Sequence, residues 1–349
     1  MCAVRLDEPA WWYGAGAGGT AERLLAPLGD LYAGAVERRF SKAEPYRSAL
    51  PVICVGNFTA GGTGKTPLAR LLIRLFAERG RKTAVLSRGY GGAQAGPVWV
   101  ERDRHTARDV GDEPLLVALD APVMVARDRK AGLQAIEAHG EADAVIMDDG
   151  LQNPHVAKAL SIAVVDGRRG FGNGRVIPAG PLRARLAFQL GLVDCIVVMG
   201  GVGPEGEAAV LEDLKRRFHG PVLSGAVAAT GDTSWAKDGA LLAYAGIGNP
   251  ERFFRMLEGL GARSVMRRAF ADHHVFTEGD ARRLLADSDA ADAQLITTEK
   301  DLARLAGAKG ACRDLAGRSR ALPIAVAFEE RDLVRLGALV DGVLKARGS

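Results

Sequence analysis

The sequence predicts an α/β protein in which a doubly wound parallel sheet is followed by a second, smaller α/β domain. Short, wholly apolar runs alternate with amphipathic segments between residues 51 and 200, as buried parallel strands alternate with their crossover helices. The alternation resumes near residue 241 after a more polar stretch. The 349 residues suffice for two domains of roughly 150 residues each. We therefore expect an N-terminal helical segment (1–45), a larger α/β domain (46–225) and a smaller one (226–349).

The composition excludes several classes of protein. Lys and Arg total 46 against 42 Asp and Glu, and the resulting net charge of +4 is too small for a dedicated nucleic-acid binder. No apolar run approaches the roughly 20 residues of a transmembrane helix, and the first ten residues do not resemble a signal peptide. The four cysteines form no CxxC pair, which argues against a zinc cluster or a disulfide framework and fits a reducing cytoplasm.

The N-terminal segment predicts an amphipathic helix over residues 21–40. Its apolar residues recur at helical spacing, namely Leu24, Leu28, Leu31 and Ala35. A Trp-Trp-Tyr triplet at 11–13 precedes the helix, and a basic cluster at 38–47 follows it. Aromatic residues, an apolar stripe and nearby bases are typical of a helix that lies in a membrane interface. The alternative is a terminal helix whose apolar stripe packs on the body of the protein.

A glycine-rich loop connects the first apolar run to a strongly amphipathic helix. The run is PVICVG (51–56), and the loop is GNFTAGGTGKT (56–66). In a P-loop, backbone N–H groups surround a phosphate, the lysine contacts the β- and γ-phosphates, and the next hydroxyl binds Mg²⁺. The sequence therefore predicts a nucleotide site, with Lys65 also acting in catalysis, at Gly61, Gly62, Thr63, Gly64, Lys65 and Thr66.

The loop departs from the strict P-loop pattern, which has a glycine where Thr59 stands. It resembles the variant found in ParA-like ATPases and dethiobiotin synthetase, although Ala60 replaces the additional lysine of that subgroup. ATP is favoured over GTP because the sequence lacks an N-K-x-D or T-K-x-D motif. The TEKD at 298–301 has similar letters without that spacing.

Two carboxylates at the end of a later apolar strand predict the metal site. Asp148 and Asp149 end the run AVIMDD (144–149). The carboxyl ends of parallel strands meet at the ligand-binding edge of a sheet, so both side chains are placed to bind Mg²⁺ together with Thr66, directly or through water. The alternative is a pair of aspartates that caps the following segment.

An aspartate and a histidine are candidates for acid–base chemistry. Asp112 lies in VGDEP (110–114), where an N-cap followed by an early-turn proline is the simplest explanation. His273 precedes a helix that Thr277 is able to cap, so it is equally compatible with a structural loop. If the fold brings both residues to a γ-phosphate, the carboxylate would accept the proton of the acceptor hydroxyl and the imidazole would orient the carboxylate.

Basic residues predict where the acceptor binds. Residues 161–190 contain five arginines and a single aspartate in a stretch rich in glycine and proline. Arginine forks bind phosphates, so we expect substrate-phosphate contacts from Arg183, and from Arg127 and Arg129 after the apolar run at 121–126. The alternative is a solvated basic loop.

Taken together, these residues resemble one family, the tetraacyldisaccharide 4′-kinases, which act in lipid A biosynthesis in Gram-negative bacteria. The resemblance runs from residue 55 to 301, with every motif in the family's order. The motifs are VGNFTAGGTGKTP (55–67), SRGYGG (87–92), VGDEPLL (110–116), MDDGLQ (147–152), VVDGRRGFGNGRVIPAGPLR (164–183), AGIGNPERFF (245–254), FADHHVF (270–276) and TEKD (298–301).

The resemblance implies a specific reaction. Such kinases transfer the γ-phosphate of ATP to the 4′-hydroxyl of a tetraacylated glucosamine disaccharide 1-phosphate, forming lipid IVA, and require Mg²⁺. They are peripheral proteins on the cytoplasmic face of the inner membrane, with two α/β domains joined by a thin β linker. We expect no nucleic acid and no obligate protein partner. Asp112 and His273 match the family's base positions, Lys65, Thr66, Asp148 and Asp149 its nucleotide and metal positions, and Arg183 its phosphate-contact loop.

Three positions depart from the family pattern. Asn153 stands in place of a histidine, Ala184 in place of a common glutamate, and Ala271 in place of a proline. The alternative function is a ParA-like switch or assembly ATPase recruited to a membrane, without a small-molecule acceptor. That function uses the P-loop and the N-terminal helix but leaves Asp112 and His273 without a role.

Overall fold

The fold consists of two sheets with helices packed on them. The computed structural model describes residues 9–14, 19–200, 204–262 and 264–345. The described residues form thirteen strands: β1 (Val52–Asn57), β2 (Thr83–Ser87), β3 (Val98–Trp99), β4 (Val123–Val125), β5 (Ala144–Asp148), β6 (Leu160–Asp166), β7 (Cys195–Gly200), β8 (Val222–Ala229), β9 (Ala240–Ala245), β10 (Ser264–Ala269), β11 (Ala293–Thr298), β12 (Ser319–Leu322) and β13 (Ile324–Phe328).

Helices lie before, between and after these strands. Over the same ranges they are α1 (Thr20–Lys42), α2 (Lys65–Glu78), α3 (Ala107–Val110), α4 (Asp112–Val117), α5 (Arg129–His139), α6 (Leu186–Leu190), α7 (Pro204–Arg217), α8 (Pro250–Gly259), α9 (Glu278–Ala290), α10 (Glu299–Arg304), α11 (Gly310–Arg318) and α12 (Glu330–Lys345).

The larger sheet has the order β13-β8-β7-β6-β1-β5-β2-β4-β3. All neighbours are parallel except β3 with β4 and β13 with β8. The smaller sheet is parallel and has the order β10-β9-β11-β12. This architecture confirms the predicted doubly wound sheet with a second α/β set. Because β1 lies centrally between β5 and β6, the loops that follow these three strands meet at one edge of the sheet.

The C-terminal segment corrects the predicted domain division. The apolar run at 322–328 divides at Pro323 into β12 in the smaller sheet and β13 in the larger one. Helix α12 then packs its buried Leu336 and Val340 into the same core cluster as Leu68 of α2. Placing all of 226–349 in the smaller domain is therefore wrong for the last strand and helix.

Regular structure also occupies the more polar stretch before residue 241. Helix α7 and strand β8 lie there, and β8 belongs to the larger sheet. Helix α7 is difficult to recognise because most of its residues are charged or small, and Leu214 is its fully buried contact. Strand β10 is hidden for a related reason: it is an edge strand that carries Arg267 and Arg268 in place of an apolar run.

Helix α1 packs on the protein through its small residues, not through its apolar stripe. Gly29, Ala33 and Val36 are buried, and the exposed fractions of the stripe residues are 72% for Leu24, 54% for Leu28 and 72% for Leu31. The alternative in which this stripe packs on the body is therefore wrong. None of the described helices is long and apolar enough to cross a bilayer.

Ion pairs fasten α1 to the arginine-rich stretch. Arg175 Nε lies 3.2 Å from Glu22 Oε1, and Arg185 Nη1 lies 2.9 Å from Glu37 Oε2. Trp12, which the sequence placed in an aromatic membrane anchor, is buried, and its carbonyl accepts a hydrogen bond from the Asn173 amide. Part of the basic stretch thus has a structural partner in the N-terminal segment.

A pair of glycine substitutions tests this docking. A Cβ on Gly29 would lie 2.7 Å from the carbonyl oxygen of Val176, whereas a Cβ on Gly34 would have no atom within 4 Å. We expect Gly29→Ala to destabilise α1 by about 1–3 kcal/mol through overpacking, and Gly34→Ala to stabilise it by up to about 1 kcal/mol through helix propensity. Limited proteolysis near residue 45 and thermal unfolding measure both effects, and equal behaviour of the two variants would contradict the docking.

Candidate active site

The P-loop connects β1 to α2 in a conformation that requires glycine. Gly61 and Gly64 have φ values of 93° and 95°, in the left-handed region that side chains disfavour. Helix α2 begins at Lys65, so the first N–H groups of this helix have no intrahelical acceptor and are available to an anion. Asn57 Nδ2 braces the loop by donating to the Gly61 carbonyl at 3.2 Å.

Two more of the predicted loop residues suit a phosphate cradle. A Cβ on Gly62 would have no atom within 4 Å, so the backbone there is open to a ligand. The buried hydroxyl of Thr63 has no hydrogen-bond partner among the described residues. An unpartnered buried hydroxyl in such a loop is satisfied when phosphate oxygens enter it.

Asp148 is the buried carboxylate beside the P-loop strand. It pairs in register with Val55 of β1, and its Oδ1 has no hydrogen-bond partner within the described ranges. Burial, together with the charges of Glu113 and Asp149, raises the pKa of Asp148 to about 7. An ionised carboxylate in this position needs a cation, which fits the predicted Mg²⁺.

Asp149 has the opposite electrostatic environment. Its φ is 50°, and both of its carboxylate oxygens accept bonds from Arg183 Nη1, at 2.8 and 2.9 Å. Lys65 Nζ lies 3.7 Å from its Oδ1. Burial alone would raise the pKa of Asp149, but Lys65 and Arg183 hold that pKa well below its usual range. Lys65, Asp149 and Arg183 thus form one chain of charges at the sheet edge.

Thr66 completes the residues that fit a magnesium ion. Its hydroxyl donates to Glu113 Oε1 at 3.3 Å, so its lone pairs remain available to a metal. One hydroxyl, one or two carboxylates and the phosphates of the nucleotide are the usual oxygen donors for Mg²⁺ in nucleotide sites. Thr66, Asp148 and Asp149 therefore fit the ion.

Asp112 is the first residue of α4, and the N-cap of that helix is Gly111. Gly111 has a φ of 92°, and a Cβ there would lie 2.6 Å from the carbonyl oxygen of Tyr90. The motifs SRGYGG and VGDEP therefore interlock, and their packing positions Asp112. The interpretation of Asp112 as a simple cap is wrong, because its side chain instead forms ion pairs with the second α/β part.

His273 approaches Asp112 from the loop before α9. Its Nδ1 lies 3.1 Å from Asp112 Oδ2, although 161 positions separate the two residues. Its φ is 56°, and its backbone N–H donates to the Gly246 carbonyl at 3.0 Å. The fold therefore brings together the aspartate and histidine that the resemblance pairs. Burial would raise the pKa of Asp112, but hydrogen bonding to His273 and the charge of Arg304 hold that pKa well below its usual range.

Helix α10 contributes charged side chains to the site that the sequence did not indicate. Lys300 Nζ lies 2.5 Å from Glu113 Oε1, and Arg304 Nη2 lies 2.6 Å from Asp112 Oδ2. Glu299 pairs with Arg70 of α2 at 2.9 Å. The TEKD motif and the glutamate of VGDEP were visible in the sequence, but nothing in a single sequence indicates that they meet.

The other predicted phosphate contacts have different environments. Arg129 is buried and donates to the carbonyls of Ala126 and Asp148, at 2.6 and 3.3 Å. Burial lowers the pKa of Arg129 to about 10. The guanidinium of Arg129 therefore faces the protein interior beside Asp148, and its expected contact with the substrate phosphate stays a prediction. Arg127 is exposed beside the SRGYGG loop, where its Nη2 donates to the Gly92 carbonyl at 3.2 Å.

Two of the three departures from the family pattern, Asn153 and Ala184, lie in loops close to the P-loop strand. Ala184 is fully buried, and its carbonyl accepts from Gln189 Nε2 at 2.8 Å. Gln152 Nε2 donates to the Asn57 carbonyl at 2.8 Å. The Asn153 carbonyl accepts from Lys158 Nζ at 2.8 Å. These contacts support the loops after β1 and β5.

Comparison with known families now assigns the chain. A family model described as tetraacyldisaccharide-1-P 4′-kinase matches residues 21–340. The chain belongs to this family. A tetraacyldisaccharide 4′-kinase of Rhodospirillum centenum is 45% identical over 332 residues, covering 94% of each chain. One from Maricaulis maris is 44% identical over 352 residues, covering 97% of this chain and 96% of the relative.

A solved structure has the same fold. The crystal structure of the "apo" form of LpxK from Aquifex aeolicus in complex with ATP matches with a TM-score of 0.72 and 24% identity, and covers 92% of this chain and 99% of that one. Membership of the kinase family supports an ATP-dependent phosphotransferase that uses Mg²⁺, as predicted. The comparisons give no support to a ParA-like switch.

The adjacent aspartates offer a test of the site's electrostatics. With a folded pKa of about 7, Asp148 binds a proton in the folded state between about pH 4 and 7 that it lacks when unfolded, so its ionisation above pH 7 destabilises the metal-free protein. We expect Asp148→Asn to stabilise that protein by about 1–3 kcal/mol at pH 8 and by much less at pH 5, because asparagine mimics the neutral acid.

Asp149→Asn is the matched control. Its carboxylate is stabilised by Lys65 and Arg183, so we expect this variant to lower stability at both pH values. Thermal unfolding without nucleotide or Mg²⁺ measures both variants. Shifts of the same sign for the two variants at pH 8 would contradict the opposite environments.

Proposed function

We propose that Asp112 is the general base with which this tetraacyldisaccharide 4′-kinase accepts the proton of the 4′-hydroxyl, and that His273 orients it. The observation that carries this proposal is the 3.1 Å contact between Asp112 Oδ2 and His273 Nδ1 across the two α/β parts. The base lies at the N-terminus of α4 next to Glu113, which contacts the P-loop hydroxyl of Thr66. A proton acceptor and a nucleotide cradle are thus adjacent.

The reaction moves a phosphoryl group from ATP to the acceptor oxygen. The P-loop N–H groups and Lys65 stabilise the negative charge of that group as it transfers. When bound by Thr66, Asp148 and Asp149, Mg²⁺ supplies further neutralisation of phosphate charge. Asp112 removes the hydroxyl proton as the new oxygen–phosphorus bond forms. We also propose that Arg183 and Arg127 contact the substrate phosphate, because both lie in loops beside this edge of the sheet.

We propose that α1 places the enzyme on the cytoplasmic face of the inner membrane. The helix presents the exposed Leu24, Leu28 and Leu31 together with a half-exposed Tyr32. Exposed basic residues lie at its C-terminal end, namely Arg38, Arg39 and Lys42. An apolar stripe with flanking cations suits the interface of an anionic bilayer, where the acyl chains of the acceptor reside.

The base assignment is tested by Asp112→Asn. Asparagine cannot accept the proton, so we expect kcat to fall by roughly 10²–10⁴, whereas ATP binding persists because the P-loop is unchanged. His273→Ala should also lower kcat, and the double variant should be far less impaired than the product of the two losses. His274→Ala is the matched control, because His274 pairs with Asp280 at 3.0 Å and not with Asp112. Full activity of Asp112→Asn would exclude it as the base.

The membrane proposal is tested by replacing Leu24, Leu28 and Leu31 with serine. We expect sedimentation with vesicles of phosphatidylethanolamine and phosphatidylglycerol to fall at least about tenfold, because three exposed leucines supply most of the apolar area of the stripe. ATP binding should remain. Leu333→Ser/Val334→Ser removes exposed apolar residues from α12 instead and should sediment like the wild type. Unchanged sedimentation of the triple variant would refute the role of α1.

A further inference from the structure

Arg304 of α10 makes the shortest contacts to the proposed base. Its Nη2 and Nε donate to Asp112 Oδ2 at 2.6 and 2.8 Å. Both side chains are buried, with exposed fractions of 7% for Arg304 and 6% for Asp112. The proposed reaction assigns Arg304 no role. A buried ion pair between the two α/β parts is nevertheless costly to form, because both charged groups lose their contact with water.

The guanidinium nitrogen that does not contact Asp112, Nη1, also has fixed hydrogen-bond acceptors. Nη1 of Arg304 donates to Asp301 Oδ1 at 2.5 Å and to the Gly246 carbonyl at 2.6 Å. Asp301 is fully buried and accepts from the Gly246 amide and from Thr298 Oγ1. A guanidinium with this many fixed acceptors has a single orientation, which is typical of a positioning group.

The same carbonyl also fixes His273. The Gly246 carbonyl accepts the backbone N–H of His273 at 3.0 Å as well as the Arg304 bond. A Cβ on Gly246 would lie 3.0 Å from the Cβ of His274, so a side chain there would require its neighbours to shift. The backbone of His273 and the guanidinium of Arg304 therefore share one backbone acceptor.

All three side-chain nitrogens that contact Asp112 engage the same oxygen. His273 Nδ1, Arg304 Nε and Arg304 Nη2 lie within 3.1 Å of Oδ2. Oδ1 accepts only the Glu113 amide, at 3.1 Å, among the described parts of the chain. A carboxylate oxygen has two lone-pair directions, so Oδ1 retains one for an incoming hydroxyl.

We infer that Arg304 is a positioning residue that, with His273, anchors Oδ2 of Asp112 so that Oδ1 takes the proton of the acceptor hydroxyl. The inference rests on the proposed role of Asp112 as base. In the step, the O–H bond of the acceptor breaks and its proton passes to Oδ1. The acceptor oxygen bonds to the γ-phosphorus, and the bond from that phosphorus to the bridging oxygen breaks, leaving ADP with the electron pair.

The charges around Asp112 determine how its ionisation responds to Arg304. His273 faces it from the loop before α9, Arg304 and Lys300 face it from α10, and Glu113 is its neighbour on α4. Asp301 lies behind Arg304. Without the guanidinium charge, the buried Asp112 carboxylate has fewer cations near it, so it becomes protonated at a higher pH. The acid limb of the pH dependence of kcat then moves to higher pH.

The experiment compares Arg304→Gln and Arg304→Lys with Arg70→Gln across a pH series, using holoenzyme with MgATP and the lipid acceptor in detergent. For Arg304→Gln we expect kcat to fall about 10–100-fold, the KM for ATP to change less than about threefold, and the acid limb to move up by about one pH unit. Arg304→Lys keeps the positive charge but lacks the planar array of guanidinium donors. The acid limb of its kcat profile should therefore match the wild type, while kcat stays reduced. Arg70→Gln removes another ion pair to α10 and should leave the acid limb in place.

Chemical rescue separates a positioning role from a purely structural one. Millimolar guanidinium added to Arg304→Ala should restore part of kcat, and the same concentration of urea should not. Thermal unfolding shows which variants are folded. If Arg304→Gln does not fold, the results for Arg304→Lys and for the chemical rescue test the inference. The inference is overturned if Arg304→Gln has a wild-type kcat and an unmoved acid limb, or if a folded Arg304→Ala is not rescued by guanidinium. In either case the proposed base remains, provided that Asp112→Asn is inactive. Activity in Asp112→Asn instead overturns the proposed function itself.

Discussion

The ion pair of Asp112 with Arg304 and His273 is the interaction on which the arrangement of the site depends. Asp112 is buried, and an isolated buried carboxylate would cost several kcal/mol. Its partners both come from the second α/β part, so the charge is compensated only when the two parts are in contact. The pairing of Asp112 therefore depends on contact between the two parts of the fold.

Helix α10 is the element that connects the P-loop with Asp112. Although it has only six residues, three of its side chains contact different points of the larger α/β part. Glu299 pairs with Arg70 on the P-loop helix, Lys300 pairs with Glu113, and Arg304 pairs with Asp112. Because the Glu113 carboxylate also accepts the P-loop hydroxyl, a continuous path of hydrogen bonds connects the phosphate cradle to α10.

The two neighbouring aspartates show how position within a strand end decides chemistry. Asp148 is the last residue of β5 and has an unpartnered oxygen, so burial and nearby carboxylates raise its pKa. Asp149 has left the strand with a positive φ, and this turn directs its carboxylate to Lys65 and Arg183. One residue is a poor anion until a cation is present, whereas the other is a permanent anion. Such a division suits a site that binds metal and triphosphate together.

The sequence by itself determined most of the alternation of strands and helices, the P-loop and the two aspartates at the end of β5, because these depend on local periodicity and on residues that are close along the chain. The family motifs also identified Asp112 and His273 correctly as partners. Three features were decided only by the tertiary structure: the face by which α1 packs on the protein, the division of one apolar run at Pro323 between two sheets, and the ion pair of Arg304 with Asp112. Each depends on which distant surfaces meet, and apolar periodicity does not state whether a stripe such as Leu24 to Leu31 faces protein or membrane. Likewise, an arginine 192 positions away from an aspartate becomes its partner only when two separately folded sheets bring both side chains to one buried point.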